Sequence, residues 1–218
     1  MRKLMVLPLA GLLALGVAGP VAAGPNVSNT SGSGETIYGD WSTDTGYGYV
    51  YLGEQSGYGG FGDIYQESGT WVECEPTEED VPSPKDTGPG DGYYGFVGTR
   101  TWGYAYDVKI DLSRRLDTGT ATGTVELYTE TVDECNGVYG GDAVAEVGAL
   151  DVAVTGVGPL ATFKGSGSYK IPSEFNGHQN YRGKERQATG SVAAGGSIDA
   201  AFGFGYMSQV TWTEHINS

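Results

Sequence analysis

Apolar and polar side chains alternate along much of the chain, most clearly in residues 101 to 112, TWGYAYDVKIDL. One parity carries the apolar side chains of Trp102, Tyr104, Tyr106, Val108, Ile110 and Leu112. Asp107, Lys109 and Asp111 occupy the other parity. Side chains of a β-strand alternate between two faces, so the pattern predicts a strand with one buried and one solvated face.

Residues 45 to 66, TGYGYVYLGEQSGYGGFGDIYQ, alternate tyrosine and glycine as a low-complexity tract would. Tyr47, Tyr49 and Tyr51 nevertheless share one parity, and Val50 and Leu52 take the other. A turn sequence, GEQSG, separates this segment from a second segment with strand character. The pattern therefore predicts an ordered hairpin rather than a disordered tract.

Three further segments alternate in the same way, at residues 121–135, 149–157 and 197–212. In the last of these, Phe202, Phe204 and Tyr206 share one parity and are predicted to face the same side of the sheet. Glycines stand between them, where a strand can bend or another backbone can approach closely.

Helix caps and a 3.6-residue period are missing from the chain after its first residues, whereas glycine-rich turns are frequent. The pattern indicates nine to eleven short strands, each with one solvent-exposed face. It predicts an all-β fold, either an antiparallel β-sandwich or a closed β-barrel. Residues 37–218 are long enough to form one such domain with its own core. Residues 76–92, PTEEDVPSPKDTGPGDG, are acidic and rich in proline, and are predicted to form an exposed loop. Calcium binding by that loop is an alternative, although its carboxylates lack the DxDxDG register.

Residues 1–23, MRKLMVLPLAGLLALGVAGPVAA, have the charged, apolar and small-residue order of a cleavable export signal. The apolar stretch is shorter than the roughly 20 residues that a membrane-spanning helix needs. We therefore expect cleavage near Ala23, secretion of the chain and no insertion into a membrane. Residues 24–36 have almost no apolar side chain, and this composition predicts a flexible polar leader.

Acidic residues dominate the composition, with 27 Asp and Glu against 12 Lys and Arg. The formal net charge of -15 becomes about -17 once Arg2 and Lys3 leave with the signal. So negative a surface repels nucleic acid phosphates and anionic lipid headgroups. Neither is therefore an expected partner.

The chain has two cysteines, Cys74 and Cys135. In an exported domain a lone pair of cysteines most often forms one disulfide, so we expect these two residues to be bridged. A reactive or metal-binding thiol is the alternative, but no CxxC spacing supports it.

Catalytic and metal-binding motifs are scarce. The two histidines, His178 and His215, come without a GxSxG nucleophile turn or an HExxH zinc motif. We therefore predict neither a metal site nor a cofactor, and we expect both histidines to be ordinary surface residues. Enzymatic activity is left open by the sequence, with the balance against it.

Two alternatives to a binding protein follow from the strand pattern. Glu126 and Glu130 lie on one face of a predicted strand, and a pair of carboxylates is what a glycan hydrolase requires. A closed barrel that carries a small apolar ligand in its interior is the other alternative.

Residues 171–186, IPSEFNGHQNYRGKER, are unusually basic for this acidic chain and are predicted to form a polar loop between two strands. Its candidate contact residues are His178, Tyr181, Arg182, Lys184 and Arg186. Two arginines can bind a carboxylate or sulfate bidentately, and loops on a rigid sheet commonly carry binding sites. The sequence thus favours a secreted, non-enzymatic binding or interaction module that contacts an acidic or glycan ligand through this loop. The alternative is that these cations neutralise acidic neighbours in the same chain.

Overall fold

The computed structural model describes residues 27–74, 94–140, 144–171 and 175–217, which form nine β-strands. Their bounds are β1 Val27–Thr43, β2 Gly46–Gln55, β3 Gly59–Glu73, β4 Tyr94–Leu112, β5 Thr118–Asp133, β6 Val138–Tyr139, β7 Val144–Ile171, β8 Phe175–Ala194 and β9 Ile198–Asn217. A single turn of 3-10 helix, Glu134–Asn136, follows β5. Within the described ranges, no helix is long and apolar enough to cross a membrane. The predicted export signal and the acidic segment 76–92 lie outside the described residues.

The strands form one antiparallel sheet that closes into a ring. β1 to β5 and β7 to β9 follow one another around it in chain order, each pairing with the next, and β9 pairs with β1. Within the described ranges, the short β6 pairs with β5 alone. The all-β prediction is therefore confirmed, and the closed-barrel arrangement applies rather than the sandwich, because closure pairs the first strand with the last.

The ring is filled by apolar side chains. Each of its eight strands contributes buried residues, for example Ile37, Val50, Ile64, Val108, Val125, Val152, Val192 and Phe202. Leu116, in the turn between β4 and β5, is also fully buried and closes one end. An eight-stranded barrel is just wide enough for side chains to fill its interior, and this filling is observed here.

The predicted tyrosine–glycine hairpin is confirmed. β2 and β3 pair through a turn at residues 56–58, and Val50 and Leu52 are buried inside the ring. Tyr49 and Tyr51 point outward and are half-buried. The glycine-rich tract is therefore ordered sheet.

A β-bulge in β4 corrects the prediction for residues 101–112. The pairing of β4 with β5 shifts register between Tyr106 and Lys109, and Asp107 has a φ of 54°. An extra residue at a bulge reverses the faces of the residues that follow it. Val108, Ile110 and Leu112 are therefore buried, as predicted. The side chains before the bulge lie on the outer face, contrary to prediction, with Tyr104 62% and Tyr106 41% exposed.

A second bulge corrects the prediction for residues 197–212. The pairing of β8 with β9 shifts register between Ala188 and Gly190. Phe202 lies inside the ring at 3% exposure, whereas Phe204 is 53% exposed on the outside. The glycines beside these residues do mark a bend, but the bend separates aromatic residues that the sequence predicted to share one face.

Residues 27–36 belong to β1, whereas their composition predicted a flexible leader. They pair with β9 from Val27↔Asn217 onward, so backbone hydrogen bonds order a segment with few apolar side chains. β2 pairs with β1 only from Gly34 onward, and β5 pairs with β7 only as far as Thr155. The longer strands β7, β8, β9 and β1 therefore continue past the ring as a four-stranded extension, whose side chains are mostly exposed on both faces.

The predicted disulfide is confirmed, since Cys74 and Cys135 are bridged. It joins the end of β3 to the 3-10 turn that follows β5. Phe96 is buried beside it, and the Trp71 ring packs edge-on against Phe96 at 5.8 Å between centroids. The bridge therefore fixes a small apolar cluster against the outer face at one end of the ring.

Candidate functional site

The predicted contact residues lie on a strand rather than on a loop. Residues 175–186 belong to β8 and pair with β7 on one side and with β9 on the other. Both faces of this part of the sheet are exposed to solvent, so polar side chains on either face are compatible with a strand. His178, Arg182, Lys184 and Arg186 share one face of β8, and Tyr181 lies on the other.

Two of the predicted cations contact the turn between β4 and β5, at the end of the ring that Leu116 covers. Arg186 forms an ion pair with Asp117, and its Nε donates to the Gly158 carbonyl oxygen at 3.1 Å. Lys184 donates to the carbonyl oxygen of Arg114. The ion pair of Arg186 therefore matches the alternative in which the cations neutralise acidic neighbours in the same chain, whereas Lys184 bonds a backbone carbonyl.

The other three predicted residues lie on the extension beyond the ring. Arg182 Nε donates to Thr211 Oγ1 at 3.3 Å, and Arg182 lines an open depression of about 580 Å³. The ring of Tyr181 covers Gly165 of β7, and His178 Nδ1 is 2.9 Å from Ser168 Oγ. The three residues thus lie on one strand, with Tyr181 on the opposite face from His178 and Arg182. Their role in binding stays a prediction.

The predicted carboxylate pair lies on the outer face of β5. Glu130 lies four positions after Glu126, a distance of about 13 Å along a strand. The carboxyl groups of a glycosidase are about 5 to 9.5 Å apart and face a common cleft. Glu126 also accepts a hydrogen bond from Tyr128. This geometry suits a surface for binding better than a hydrolytic centre.

The bulge in β4 assembles a different surface, which the sequence did not reveal. Nine outward-facing residues from β3, β4 and β5 lie in three cross-strand rows, and we call this surface the outer patch. Its rows are Tyr65–Trp102–Tyr128, Asp63–Tyr104–Glu126 and Phe61–Tyr106–Thr124. Aromatic rings and carboxylates are thus adjacent on one open face of the sheet.

Tyr104 is the centre of the outer patch. It is 62% exposed, and its partners on the two neighbouring strands are the carboxylates of Asp63 and Glu126. Trp102 is different, because its ring stacks on Tyr128 at 6.1 Å between centroids. An accessible ring between two acceptors can therefore contact both an apolar surface and hydroxyl groups of a ligand.

Hydrogen bonds fix the tyrosines at the edge of the outer patch. The bond that Tyr128 donates to Glu126 raises the pKa of the Tyr128 hydroxyl. Burial, together with a 2.8 Å bond to Glu67, raises the pKa of Tyr65 to about 12. Both hydroxyls therefore remain protonated donors at neutral pH.

Arg100 borders the outer patch and ties it to the disulfide end of the ring. Its Nη2 lies 2.7 Å from Glu134 Oε1, its Nε lies 3.9 Å from Glu67, and its guanidinium lies 5.2 Å from the centre of the Phe96 ring. Glu134 also accepts from the Phe96 backbone N–H at 2.9 Å. The charge of Arg100 is thereby balanced by Glu67 and Glu134, which lie outside the nine residues of the outer patch.

The sequence contained a weak signal for the outer patch. Aromatic residues precede Asp107 in β4 and aliphatic residues follow it. Tyrosine and tryptophan suit half-exposed positions, whereas valine, isoleucine and leucine suit a core. A change of residue class within one alternating run therefore hints at a reversal of faces.

Among the described residues, no three or more histidine, cysteine or carboxylate side chains cluster as a metal site. The calcium alternative concerned residues 76–92, which lie outside the described ranges. Comparison with protein-family models, curated proteins and solved structures finds no match for the chain.

Proposed function

We propose that this chain is a non-enzymatic binding module whose outer patch binds a neutral glycan chain. The observation that carries the proposal is the exposed ring of Tyr104 between Asp63 and Glu126. A pyranose ring presents C–H groups on one face and hydroxyl groups at its rim. The aromatic ring can therefore pack against the C–H face while the two carboxylates accept hydrogen bonds from hydroxyls.

The shape of the surface supports a chain-like ligand. Trp102, Tyr104 and Tyr106 occur at every second position of one strand, so their side chains repeat about every 7 Å. Among the described residues, they lie on an open sheet face without walls that would enclose a small molecule. An extended polymer can contact several such positions at once, and simultaneous contacts raise its apparent affinity.

The charge of the surface favours a neutral ligand. Asp63 and Glu126 lie within the outer patch, and the whole chain has a formal net charge of -15. Anionic polymers would be repelled from such a surface, and a second copy would bring like charges together. An uncharged polyol encounters no such repulsion and supplies hydroxyl donors for the carboxylates.

The filled interior of the ring argues against a carrier of small ligands, and so also favours a ligand bound on the outer surface. Buried side chains from all eight strands of the ring occupy the space that such a ligand would need. Secretion, as predicted from residues 1–23, would bring the outer patch into contact with extracellular polysaccharide. Export itself stays a prediction.

A binding assay with Tyr104→Ala tests the proposal. We expect the purified wild-type chain to bind one or more neutral polysaccharides in affinity electrophoresis, without releasing reducing sugar. Tyr104→Ala should weaken this binding by about tenfold or more, equivalent to about 1.4 kcal/mol. Tyr58→Ala is the matched control, because Tyr58 is 67% exposed in the turn between β2 and β3.

Equal binding by the wild type and Tyr104→Ala would overturn the proposal, as would the absence of binding across a broad panel. Sedimentation velocity of the wild type and of Tyr104→Ala tests whether a second copy of the chain, rather than a glycan, occupies the outer patch. A wild-type dimer that Tyr104→Ala dissociates would assign the outer patch to self-association. Reducing-sugar release that Glu126→Gln abolishes would instead favour the hydrolase alternative.

The basic residues of β8 remain a second, predicted contact for an acidic ligand. Arg182 is the residue to test, because it lines the open depression whereas Arg186 is paired with Asp117. Loss of binding to an acidic polysaccharide in Arg182→Ala would support this contact. Unchanged binding would indicate that the basic residues of β8 serve contacts within the chain rather than a ligand.

A further inference from the structure

The four-stranded extension brings together the two histidines of the chain. His178 of β8 and His215 of β9 are direct partners in the antiparallel pairing. Direct partners share one face of a sheet, with Cβ atoms about 5 Å apart. Both side chains are exposed, although 37 positions separate them in the sequence.

Flanking strands orient the two imidazole rings in opposite directions. His178 Nδ1 is 2.9 Å from Ser168 Oγ of β7, and His215 Nδ1 is hydrogen-bonded to Asn29 Oδ1 of β1. The four residues form one row across β7, β8, β9 and β1. Each Nδ1 edge thus faces away from the other histidine, so the two Cδ2–Nε2 edges face the gap between them.

The hydrogen bond to Asn29 also selects the tautomer of the neutral His215 ring. An amide oxygen only accepts hydrogen bonds, so Nδ1 of the neutral His215 ring carries the proton. Its Nε2 then holds a free lone pair. Metal-binding histidines in proteins commonly have this arrangement, in which one ring nitrogen donates to a fixed oxygen and the other binds the ion.

We propose that His178 and His215 bind a late first-row divalent cation, such as Cu²⁺ or Zn²⁺, through their Nε2 atoms. Imidazole nitrogen suits these ions, and Cu²⁺ binds such sites more tightly than Ni²⁺ or Zn²⁺. Mg²⁺ and Ca²⁺ prefer oxygen ligands and should not compete. The negative charge of the chain adds a general attraction for cations.

The site is open, with two protein ligands and water in the remaining positions. Within the described ranges, no third histidine, cysteine or carboxylate completes a cluster with this pair. The residues involved lie on β7, β8, β9 and β1, whereas the outer patch lies on β3, β4 and β5. Failure of the glycan proposal would therefore leave this inference untouched, and the reverse also holds.

The experiment uses the untagged chain, whose sequence contains only these two histidines. Isothermal titration with CuCl₂ or ZnCl₂ should show one saturable site per chain. Electron paramagnetic resonance of the Cu²⁺ form should show coupling to two imidazole nitrogens. His178→Ala and His215→Ala should each abolish that two-nitrogen signal, and Asn180→Ala on the same exposed face is the matched control.

Asn29→Ala tests the orienting contact separately. Loss of a partner that orients a ligand typically lowers metal affinity by about tenfold or more, so we expect weaker binding with the two-nitrogen signal retained. Circular dichroism confirms that each variant keeps its β-sheet. Binding to both single-histidine variants at wild-type affinity, or a Cu²⁺ spectrum with oxygen ligands alone, would overturn the proposal.

Discussion

The ring of Phe202 lies against the backbone of Gly39, where a Cβ atom would come within 2.6 Å of Phe202 Cε2. Both residues are buried inside the barrel. The same relationship recurs where Trp41 covers Gly48 and where Trp212 covers Gly32. Aromatic rings of one strand thus occupy the space left by glycines of its neighbour, a device that pins the register of a sheet.

Substitution of Gly39 tests this arrangement. Gly39→Ala places a methyl group where the Phe202 ring lies, and overpacking of a core typically costs about 1 to 3 kcal/mol. Gly203→Ala is the control, because no described atom lies within 4 Å of a Cβ built there. Denaturant unfolding should show a loss for Gly39→Ala alone, and equal stabilities would contradict the packing account.

Asp107 should tolerate glycine better than a branched residue. Its φ of 54° lies in the left-handed region, which costs an ordinary residue about 1 kcal/mol or more. Asp107→Gly should therefore raise the free energy of unfolding, and Asp107→Val should lower it. Asp111→Gly, at an ordinary exposed position of the same strand, should instead destabilise the chain by about 0.5 to 1 kcal/mol. The opposite order of the two glycine variants in thermal unfolding would argue against the bulge.

Alternation predicted the fold class and the tyrosine–glycine hairpin, because both follow from local pattern. The lone pair of cysteines in a chain expected to be exported predicted the disulfide. Alternation could not locate the bulge at Asp107, since one inserted residue reverses both faces and leaves the run of alternating letters intact. The order in residues 27–36 was missed because it comes from pairing with β9 rather than from buried side chains.

The candidate sites were harder to predict than the fold. Asp63, Tyr104 and Glu126 meet only through the register of three strands. The same is true of His178 and His215. Register depends on the closure of the whole sheet, and no spacing in the sequence encodes it.

Glu134 should make the chain sensitive to acid. Hydrogen bonds from the Phe96 N–H and from Arg100 lower the pKa of Glu134 below its usual value. A carboxyl group with a lowered folded pKa contributes stability above its unfolded pKa, and this contribution is lost as the pH falls through the folded pKa. Glu134→Gln should therefore destabilise the chain at pH 7 and have less effect near pH 3. A constant difference between the two proteins across that range, measured by urea unfolding, would contradict this role.

Arg186 should stabilise the turn between β4 and β5, at residues 113–117. Removal of its ion pair with Asp117 and its bond to Gly158 in Arg186→Ala should cost about 1 kcal/mol. Arg182→Ala, which loses the 3.3 Å contact with Thr211, should change stability by less than about 0.5 kcal/mol. Hydrogen exchange of residues 113–117 should accelerate in Arg186→Ala alone. Unchanged exchange in that variant would mean that the pair does not hold the turn.

Chemical-shift mapping of the labelled chain during titration with a neutral oligosaccharide tests the central claim most directly. The account predicts that perturbed signals cluster at residues 61–65, 102–106 and 124–128, the three strands that form the outer patch. Signals from Val108, Ile110 and Leu112, which face the interior beyond the bulge, should shift little. Perturbations confined to the interior residues or to β8, with none at Tyr104, would contradict it.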